Sequence, residues 1–285
     1  MKLFLTGGTG FIGSHFLAAA SEAGHQVRAL RRTPQSRPVI NLPSEPEWIT
    51  GNLQTLQPEQ LAGCDVVVHL ASVGVSPKKV CWDELVEANV CGSLRILQVG
   101  ALAGLRRFVV AGSSHEYGQA ANKFVRIPPD APLEPVNSYG ASKAAAFQLL
   151  RAYATDKKLE LFYGRIFSAY GEGQFHGNFW PSLKRAALSG EDFPMTSGNQ
   201  VSDFIAVTHV ASHLLNGCIR DDIEPGLPFL VNIGSGNERS LLAFAESEWQ
   251  RLKASGQLLP SSLPDRPDQI ARYAPDLERL QFEVP

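Results

Sequence analysis

Residues 1–13 read MKLFLTGGTGFIG, an apolar run that passes directly into glycines. The run LFL is typical of a strand buried on both faces of a parallel sheet, and Gly7, Gly10 and Gly13 recur at every third position behind it. Residues 14–23 then predict a helix. Such a turn lets a pyrophosphate approach the main chain at the helix N-terminus, so the stretch predicts a dinucleotide-binding site.

Glycine spacing alone is a weak signal, and the surrounding segments supply its context. A second strand predicted at 25–30 places the glycines in a βαβ unit. Strands and helices alternate further along the chain, which predicts an α/β Rossmann fold, a doubly wound parallel sheet with helices on both faces. The other predicted strands lie at 48–50, 65–70, 107–111 and 159–167, and the predicted helices near 83–102 and 138–155.

The organisation of the chain changes after residue 170, where elements become shorter and Gly, Pro and Asn more frequent. We therefore expect a dinucleotide-binding Rossmann domain in residues 1–170. Residues 171–285 are expected to form mainly a smaller C-terminal substrate-binding lobe, with some segments returning to the sheet. The proline-containing segment 126–135 predicts a loop near the site, because prolines at this density interrupt regular structure.

Composition limits the choice of partner. The 285 residues carry a net charge of −2 without a basic block, which indicates neither nucleic acid nor an anionic membrane surface as a partner. We identify no signal peptide and no apolar run of the ~18–20 residues that span a bilayer, and four scattered cysteines favour a cytoplasmic protein. His209 and His213 lie one helical turn apart without a glutamate between them, so no metal site is expected.

Two residues at the start of the helix predicted near 138–155 indicate proton-transfer chemistry. Tyr139 and Lys143 lie four residues apart, so their side chains emerge on the same face of the helix. An ammonium group near a phenol favours the phenolate and lowers the phenol pKa. Ser113 and Ser114 follow a predicted strand at its carboxyl end, where doubly wound sheets bind their ligands.

Several motifs give the chain a resemblance to a known family. They are the segments 6–13, 68–71, 88–90, 113–118, 139–143, 165–167 and 170–171, distributed over nearly the whole sequence. With them the chain resembles the extended short-chain dehydrogenase/reductases that act on nucleotide sugars, including epimerases, dehydratases and ketoreductases. The resemblance implies that Ser113 hydrogen-bonds the reacting sugar oxygen, that Tyr139 is the catalytic acid/base and that Lys143 also holds the nicotinamide ribose.

The resemblance also implies a set of binding residues. Asn178 and Arg266 would contact the diphosphate of a nucleotide-sugar substrate, and Ser114 and His115 would contact its sugar. Ser202 stands where the family usually has an arginine that contacts phosphate, and Ser168 stands where many members have asparagine. The expected cofactor contacts are Gly7, Gly10, Phe11, Ile12, Arg31, Arg32, Asn52, Leu53, Leu70, Ala71, Asn89, Tyr139, Lys143 and Phe167.

The end of the second predicted strand indicates which dinucleotide binds. NAD-binding Rossmann domains carry an acidic residue there that accepts hydrogen bonds from the ribose 2′-hydroxyl. This chain instead has Arg31 and Arg32, whose guanidinium groups suit the additional phosphate of NADP. We therefore expect NADP(H) as the cofactor, with NAD as the alternative.

Three functions remain open from the sequence. The leading hypothesis is an NADPH-dependent reductase of a nucleotide-linked 4-keto-6-deoxyhexose, a reaction of deoxysugar biosynthesis, and the second is an NAD-dependent nucleotide-sugar epimerase. The third is a non-catalytic dinucleotide-sensing protein, against which the set Ser113, Tyr139 and Lys143 counts. A dehydratase is disfavoured, because those relatives carry an Asp-Glu pair where this chain has Ser114 and His115. A homodimer is left open as the assembly.

Overall fold

The apolar run near the N-terminus forms an interior strand of a seven-stranded sheet. The computed structural model of the chain describes residues 1–75, 80–265 and 270–280. Its strands are β1 (Lys2–Thr6), β2 (Gln26–Arg31), β3 (Glu47–Thr50), β4 (Val66–His69), β5 (Arg107–Ser113), β6 (Glu160–Ile166), β7 (Ser168–Tyr170), β8 (Phe193–Pro194), β9 (Val201–Ala206), β10 (Phe229–Ile233), β11 (Glu238–Ser240), β12 (Leu258–Leu259) and β13 (Arg272–Tyr273). Its α-helices are α1 (Phe11–Glu22), α2 (Trp82–Leu85), α3 (Gly92–Leu102), α4 (Ser138–Asp156), α5 (Phe179–Ser189), α6 (Val207–Ile219) and α7 (Leu241–Arg251).

Neighbouring strands of the large sheet are parallel throughout, in the order β10-β6-β5-β4-β1-β2-β3. The chain builds from β1 through β2 to β3 and then returns to build in the opposite direction from β4. The change of direction lies between β1 and β4, and such sheets bind their ligands at this point, outside the carboxyl ends of the strands. The predicted α/β Rossmann fold is confirmed.

Successive residues of β1 enter two different hydrophobic cores. Leu3 and Leu5 pack with residues of α1 and α6 on one face of the sheet, and Phe4 packs with residues of α3 and α4 on the other. All three side chains are fully buried. A strand covered on both faces needs apolar residues at consecutive positions, which is why this run predicted a parallel strand.

Helix α1 begins at Phe11, earlier than the predicted start at residue 14. Gly10 has extended backbone geometry and its carbonyl oxygen accepts a hydrogen bond from Ser14 Oγ at 2.7 Å. Gly7 has φ +79°, and a Cβ at Gly13 would overlap the Gly7 carbonyl oxygen, so both positions need glycine. The helix therefore starts directly against the glycine turn.

Residues beyond 170 contribute to two parts of the fold. Strand β10 pairs with β6 at the edge of the large sheet, and α6 packs in the core beside α1. The other elements form a small sheet, in which β9 pairs with β7, β11 and β13, and a separate cluster in which α5 and α7 pack with β8 and β12. The division into a domain of residues 1–170 and a lobe of residues 171–285 stays a prediction, with β10 and α6 as segments that return to the sheet.

One helical run among the described residues is long and apolar enough to cross a membrane by length and composition alone. It spans Trp82–Leu102, and 44% of its most apolar window is buried inside the fold. The expectation that the chain has no membrane-spanning run stays a prediction, because a core helix can have the same length and composition. The apolar composition has a structural reason, because Ile96, Leu97 and Val99 of α3 lie in the core that contains Phe4.

His69, at the end of β4, is a buried imidazole held by two hydroxyl groups. Its Nδ1 lies 2.7 Å from Thr6 Oγ1, and its Nε2 lies 2.8 Å from Ser93 Oγ. Burial, with a smaller contribution from the charge of Lys143, lowers the pKa of His69 from 6.5 to about 3. The neutral His69 ring therefore links β1, the strand before the glycine turn, to α3.

We predict that acid weakens the fold through His69. Unfolding exposes an imidazole that binds a proton below pH 6.5, whereas the folded imidazole stays neutral down to about pH 3. Between these values this residue should lower the free energy of unfolding by about 1.4 kcal/mol per pH unit as the pH falls. Urea titrations from pH 7 to pH 4 measure the effect. His69→Gln should show a shallower pH dependence, and parallel curves for the two proteins would contradict the prediction.

Candidate active site

The glycine turn and the end of β4 form the part of the site that suits a dinucleotide. A Cβ at Gly7 would approach Ala71 N to 2.6 Å, so Leu70 and Ala71 pass directly beside the turn. A Cβ at Gly10 would meet only the Gly7 carbonyl oxygen within 4 Å, which leaves the outer side of the turn open. The open glycine surface at the start of α1 fits an approaching pyrophosphate.

Arg31 lies at the end of β2, next in the sheet to β1. Its guanidinium carbon lies 5.2 Å from the centre of the Trp48 ring, and its buried Nε has no hydrogen-bond partner in the described part of the chain. Arg32 follows it with an exposed side chain. Both arginines lie at the end of β2, and their contact with the additional phosphate of NADP stays a prediction.

The other predicted cofactor residues have different surroundings. Asn52 Oδ1 accepts a hydrogen bond from Thr55 N at 2.9 Å, and Leu53 packs against the core that contains Phe4. Phe167 is buried in a cluster with Tyr117, so its ring belongs to the interior. Phe11 and Ile12 form the first turn of α1. The cofactor contacts of all these residues stay predictions.

Asn89 lies in a π-helical segment, Val86–Cys91, inserted between α2 and α3. Its Oδ1 accepts a hydrogen bond from Val73 N at 2.9 Å, and its Nδ2 donates to Ser142 Oγ at 2.9 Å. Asn89 therefore joins the loop after β4 to α4. Such π-helical turns occur frequently at functional sites. The sequence predicted Asn89 as a cofactor contact but carried no signal for the π-helix.

The structure brings Ser113, Tyr139 and Lys143 together at the carboxyl end of β5. Asn137 caps α4 by accepting a hydrogen bond from Gly140 N at 2.8 Å, which places Tyr139 in the first turn of the helix. Tyr139 is partly buried, and the Ser113 side chain lies close enough to lower its pKa. One turn later, the buried Lys143 Nζ donates to the Ala111 carbonyl oxygen at 2.7 Å.

The pKa of Tyr139 is shifted in the opposite direction to the one expected. Desolvation raises it to about 12, against the opposing effect of hydrogen bonds from Ser113 and Ser72. Burial also lowers the pKa of Lys143, whose ammonium group is bound to a backbone carbonyl. The expectation that the lysine brings the phenol below its usual pKa is wrong for this structure, because burial outweighs the stabilising contacts. The phenol keeps its proton at neutral pH, which suits a proton donor.

A buried ion pair between Glu116 and Arg165 holds the backbone of Ser113. Glu116 accepts hydrogen bonds from Ser113 N at 2.8 Å, from the Tyr163 hydroxyl at 2.8 Å and from Arg165 Nε at 2.7 Å. Glu116 is 0% exposed and Arg165 is 1% exposed. Arg165 also donates to the Pro129 carbonyl oxygen at 2.7 Å, which anchors the proline-containing loop. The sequence did not identify this pair, because Glu116 lies in the turn after β5 and Arg165 lies on β6, 49 residues further along the chain.

The His115 ring lies near both Tyr139 and Tyr273. Its ring centre lies 6.0 Å from that of Tyr139 and 6.3 Å from that of Tyr273 on β13. The imidazole keeps an exposed edge, and desolvation of the rest lowers its pKa. Ser114 lies next to it and is buried. Nothing in the sequence marked Tyr273 as part of this region, since it reaches His115 only through the small sheet.

The structure gives less information on the residues that were predicted to bind the diphosphate of the substrate. Asn178 is the N-cap residue of α5, and its side chain makes no capping hydrogen bond. Arg266 lies outside the described residues. Ser202 Oγ lies 2.7 Å from Ser168 Oγ, so the two positions that depart from the family pattern contact each other. Within the described ranges, no group of three His, Cys, Asp or Glu residues is arranged to hold a metal ion.

The fold and this site combine a dinucleotide-binding type of Rossmann sheet with a tyrosine held beside a serine and a lysine. Residues 3–218 match the NAD dependent epimerase/dehydratase family, and the chain belongs to this family. The resemblance seen in the sequence motifs is thereby confirmed. The relatives are nucleotide-sugar epimerases, dehydratases and decarboxylases, and the chain is an enzyme of this superfamily.

Individual relatives match over nearly their whole length. The UDP-glucose 4-epimerase of Corynebacterium glutamicum is 28% identical over 307 aligned residues, which cover 100% of this chain and 90% of that protein. The dTDP-glucose 4,6-dehydratase of Streptomyces niveus is 26% identical, with 100% and 87% covered. The solved structure of MoeE5 in complex with UDP-glucuronic acid and NAD is 29% identical, has a TM-score of 0.83 and covers 99% of this chain and 91% of that chain.

We predict that the Glu116–Arg165 pair stabilises the fold only as a pair. Arg165→Met should lower the free energy of unfolding by about 3–5 kcal/mol, because it leaves a buried carboxylate without its cation. Combining it with Glu116→Gln should recover part of the loss, since no buried charge then remains. Guanidinium denaturation measures both changes.

Arg107→Met is the matched control for this experiment. Arg107 pairs with Glu160 at 2.7 Å, but both side chains are partly exposed. Its removal should therefore destabilise the protein much less than the removal of Arg165. Equal losses for the two single variants would show that the buried pair has no special role.

Proposed function

We propose that this chain is an NADPH-dependent reductase of a nucleotide-linked 4-keto-6-deoxyhexose. The observation that carries the proposal is Arg31 at the end of β2, with a buried Nε that lacks a partner within the described residues. A guanidinium group at this place fits the 2′-phosphate of NADP, whereas a ribose 2′-hydroxyl calls for an acidic acceptor. Biosynthetic reductases of this kind consume NADPH, so the arginines favour net reduction.

The geometry of the site supports the reductive direction. The nicotinamide of the bound cofactor would supply the hydride. The glycine turn, Arg31, Arg32 and Lys143 would hold the cofactor. Tyr139, which stays protonated at neutral pH, would give its proton to the developing alkoxide. Ser113 would donate a hydrogen bond to the same oxygen, because its hydroxyl lies beside the phenol and its backbone is held by Glu116.

A nucleotide-sugar epimerase is the second candidate, and a specific observation favours it. Relatives named UDP-glucose 4-epimerase match this chain at 28% identity, and the solved complexes of MoeE5 contain NAD. An epimerase would use the same tyrosine to oxidise and then reduce one sugar carbon, with no net consumption of the cofactor. Cofactor preference and stoichiometry therefore separate the two functions.

Tyr139→Phe should reduce kcat by about 10²–10⁴-fold, because it removes the transferable proton and leaves the ring in place. Cofactor affinity should stay nearly unchanged. Turnover and the dinucleotide Kd are the measurements. Tyr153→Phe, on the same helix, is the matched control and should retain activity. Loss of less than about tenfold in kcat for Tyr139→Phe would remove this residue from the acid/base role.

We predict that NADPH binds about tenfold or more tightly than NADH, since a paired 2′-phosphate adds charge-assisted hydrogen bonds. Arg31→Gln should abolish most of this preference, whereas Arg106→Gln, at an exposed position just before the amino end of β5, should not. Fluorescence titration of both dinucleotides at fixed salt measures the preference. During turnover, one NADPH should be consumed per sugar reduced. Equal affinities, or purified protein that already carries NAD, would favour the epimerase.

A further inference from the structure

Arg239, on β11, is a cation without a polar partner in the described part of the chain. Its Nε is buried and makes no hydrogen bond, and its guanidinium carbon lies 5.0 Å from the centre of the Phe244 ring. The aromatic face holds the plane of the guanidinium group but satisfies none of its donors. An unpaired buried donor is unfavourable, so this side chain is suited to a ligand that accepts hydrogen bonds.

Strand register connects Arg239 to the catalytic region. Ser202 of β9 is the direct partner of Arg239 on β11 and of Tyr273 on β13. Residues directly opposite each other in a sheet carry their side chains on the same face. Since the Tyr273 ring contacts His115, which contacts Tyr139, this face leads from the catalytic tyrosine across Ser202 to Arg239.

Two hydroxyl groups lie on the same face between the arginine and the site. Ser202 Oγ and Ser168 Oγ are 2.7 Å apart, and Ser168 is paired in register with Phe204 two residues beyond Ser202. The Phe204 ring stacks on Phe244 at 4.2 Å between centres, so the ring below Arg239 is itself held by the small sheet. Hydroxyls beside a guanidinium group can donate to the oxygens of one phosphate or diphosphate.

The nearby carboxylates are already occupied. Glu238 accepts a hydrogen bond from Arg272 at 2.6 Å. Glu248 accepts hydrogen bonds from Trp180 Nε1 at 2.8 Å and from Arg251 Nη2 at 2.7 Å. Arg239 is close enough for its charge to lower the pKa of Glu248, yet no hydrogen bond joins them. Its donors are therefore available to an anion.

We propose that Arg239, together with the hydroxyl groups of Ser202 and Ser168, binds the diphosphate of the nucleotide-sugar substrate. The inference rests on the proposed class of substrate and assigns a residue to its recognition. The sugar would lie between Tyr139 and Tyr273, and the diphosphate one step further along the same face. The positive charge is then supplied by Arg239 on β11, directly opposite Ser202 on β9. The space beside Ser202 is occupied by its own hydroxyl group and that of Ser168.

The test is the binding of UDP, dTDP and the phosphate-free nucleosides uridine and thymidine, measured by isothermal titration calorimetry. Arg239→Gln should raise the Kd of the better-binding nucleoside diphosphate by about tenfold or more, because it removes charge-assisted hydrogen bonds. It should leave the Kd of the dinucleotide cofactor unchanged. Arg151→Gln, which removes the same charge from an exposed position on α4, is the control and should change neither constant.

A rescue variant distinguishes ligand binding from a structural role. The double variant Ser202→Arg, Arg239→Gln returns a guanidinium group to the adjacent strand and should recover part of the lost affinity. A loss of packing over Phe244 would not be restored by this change. Thermal unfolding confirms that the variants fold, and Arg239→Lys, which keeps the charge without the fork, should show an intermediate Kd.

The outcomes separate this inference from the proposed function. Unchanged Kd for the nucleoside diphosphates in Arg239→Gln, or no binding of either diphosphate to the wild-type protein, overturns the inference. If the wild-type protein binds a diphosphate through Arg239 but reduces no nucleotide-linked keto sugar, the inference stands and the reductase proposal fails. With an active enzyme, Arg239→Gln should raise KM and leave kcat nearly unchanged, because a remote diphosphate contact binds ground and transition states alike.

Discussion

The carboxylate of Glu116 is the contact on which the catalytic end of the sheet depends. It accepts the backbone N–H of Ser113, the hydroxyl of Tyr163 and the guanidinium of Arg165, and it is completely buried. A Cβ at Gly112 would lie 2.4 Å from Tyr163 Cε1 and 2.9 Å from Glu116 Oε1, so glycine leaves room there for the tyrosine ring and the carboxylate. A buried charge is tolerated only with such complete pairing, and the pairing holds β5, β6 and the loop at Pro129 in one arrangement.

This buried charge also shapes the electrostatics of the site. Its negative field adds to the desolvation that raises the pKa of Tyr139, and it opposes the desolvation that lowers the pKa of Lys143. The ion pair with Arg165 balances the charge locally. The result is a phenol that remains an acid beside an ammonium group bound to a backbone carbonyl. In such a site the direction of catalysis depends on which oxidation state of the cofactor is supplied.

The small sheet lies next to this site. Strand β9 pairs with β7, β11 and β13, so residues from four distant parts of the chain share one face. Aromatic rings on α7 and β9 support that face, and Tyr273 connects it to His115. Ser113 lies at the end of β5, and Tyr139 and Lys143 lie on α4, so these three residues and the small sheet belong to different elements of the fold. Relatives that match this chain carry different reaction names, since a fold does not fix a function.

The sequence by itself determined the elements whose signals are local. The LFL run and the glycines at positions 7, 10 and 13 predicted the first strand, the turn and the dinucleotide-binding fold, because burial on both faces and close backbone approach restrict the residue types. The spacing of Tyr139 and Lys143 placed both on one face of α4. Only the tertiary structure decided the Glu116–Arg165 pair, the Asn89–Ser142 contact and the position of Arg239 opposite Ser202. These contacts join residues that are far apart in the chain, and strand register and burial exist only once the sheets have assembled. The pKa of Tyr139 shows the same limit, because helix spacing brought the lysine near the phenol but desolvation by the folded protein set the direction of the shift.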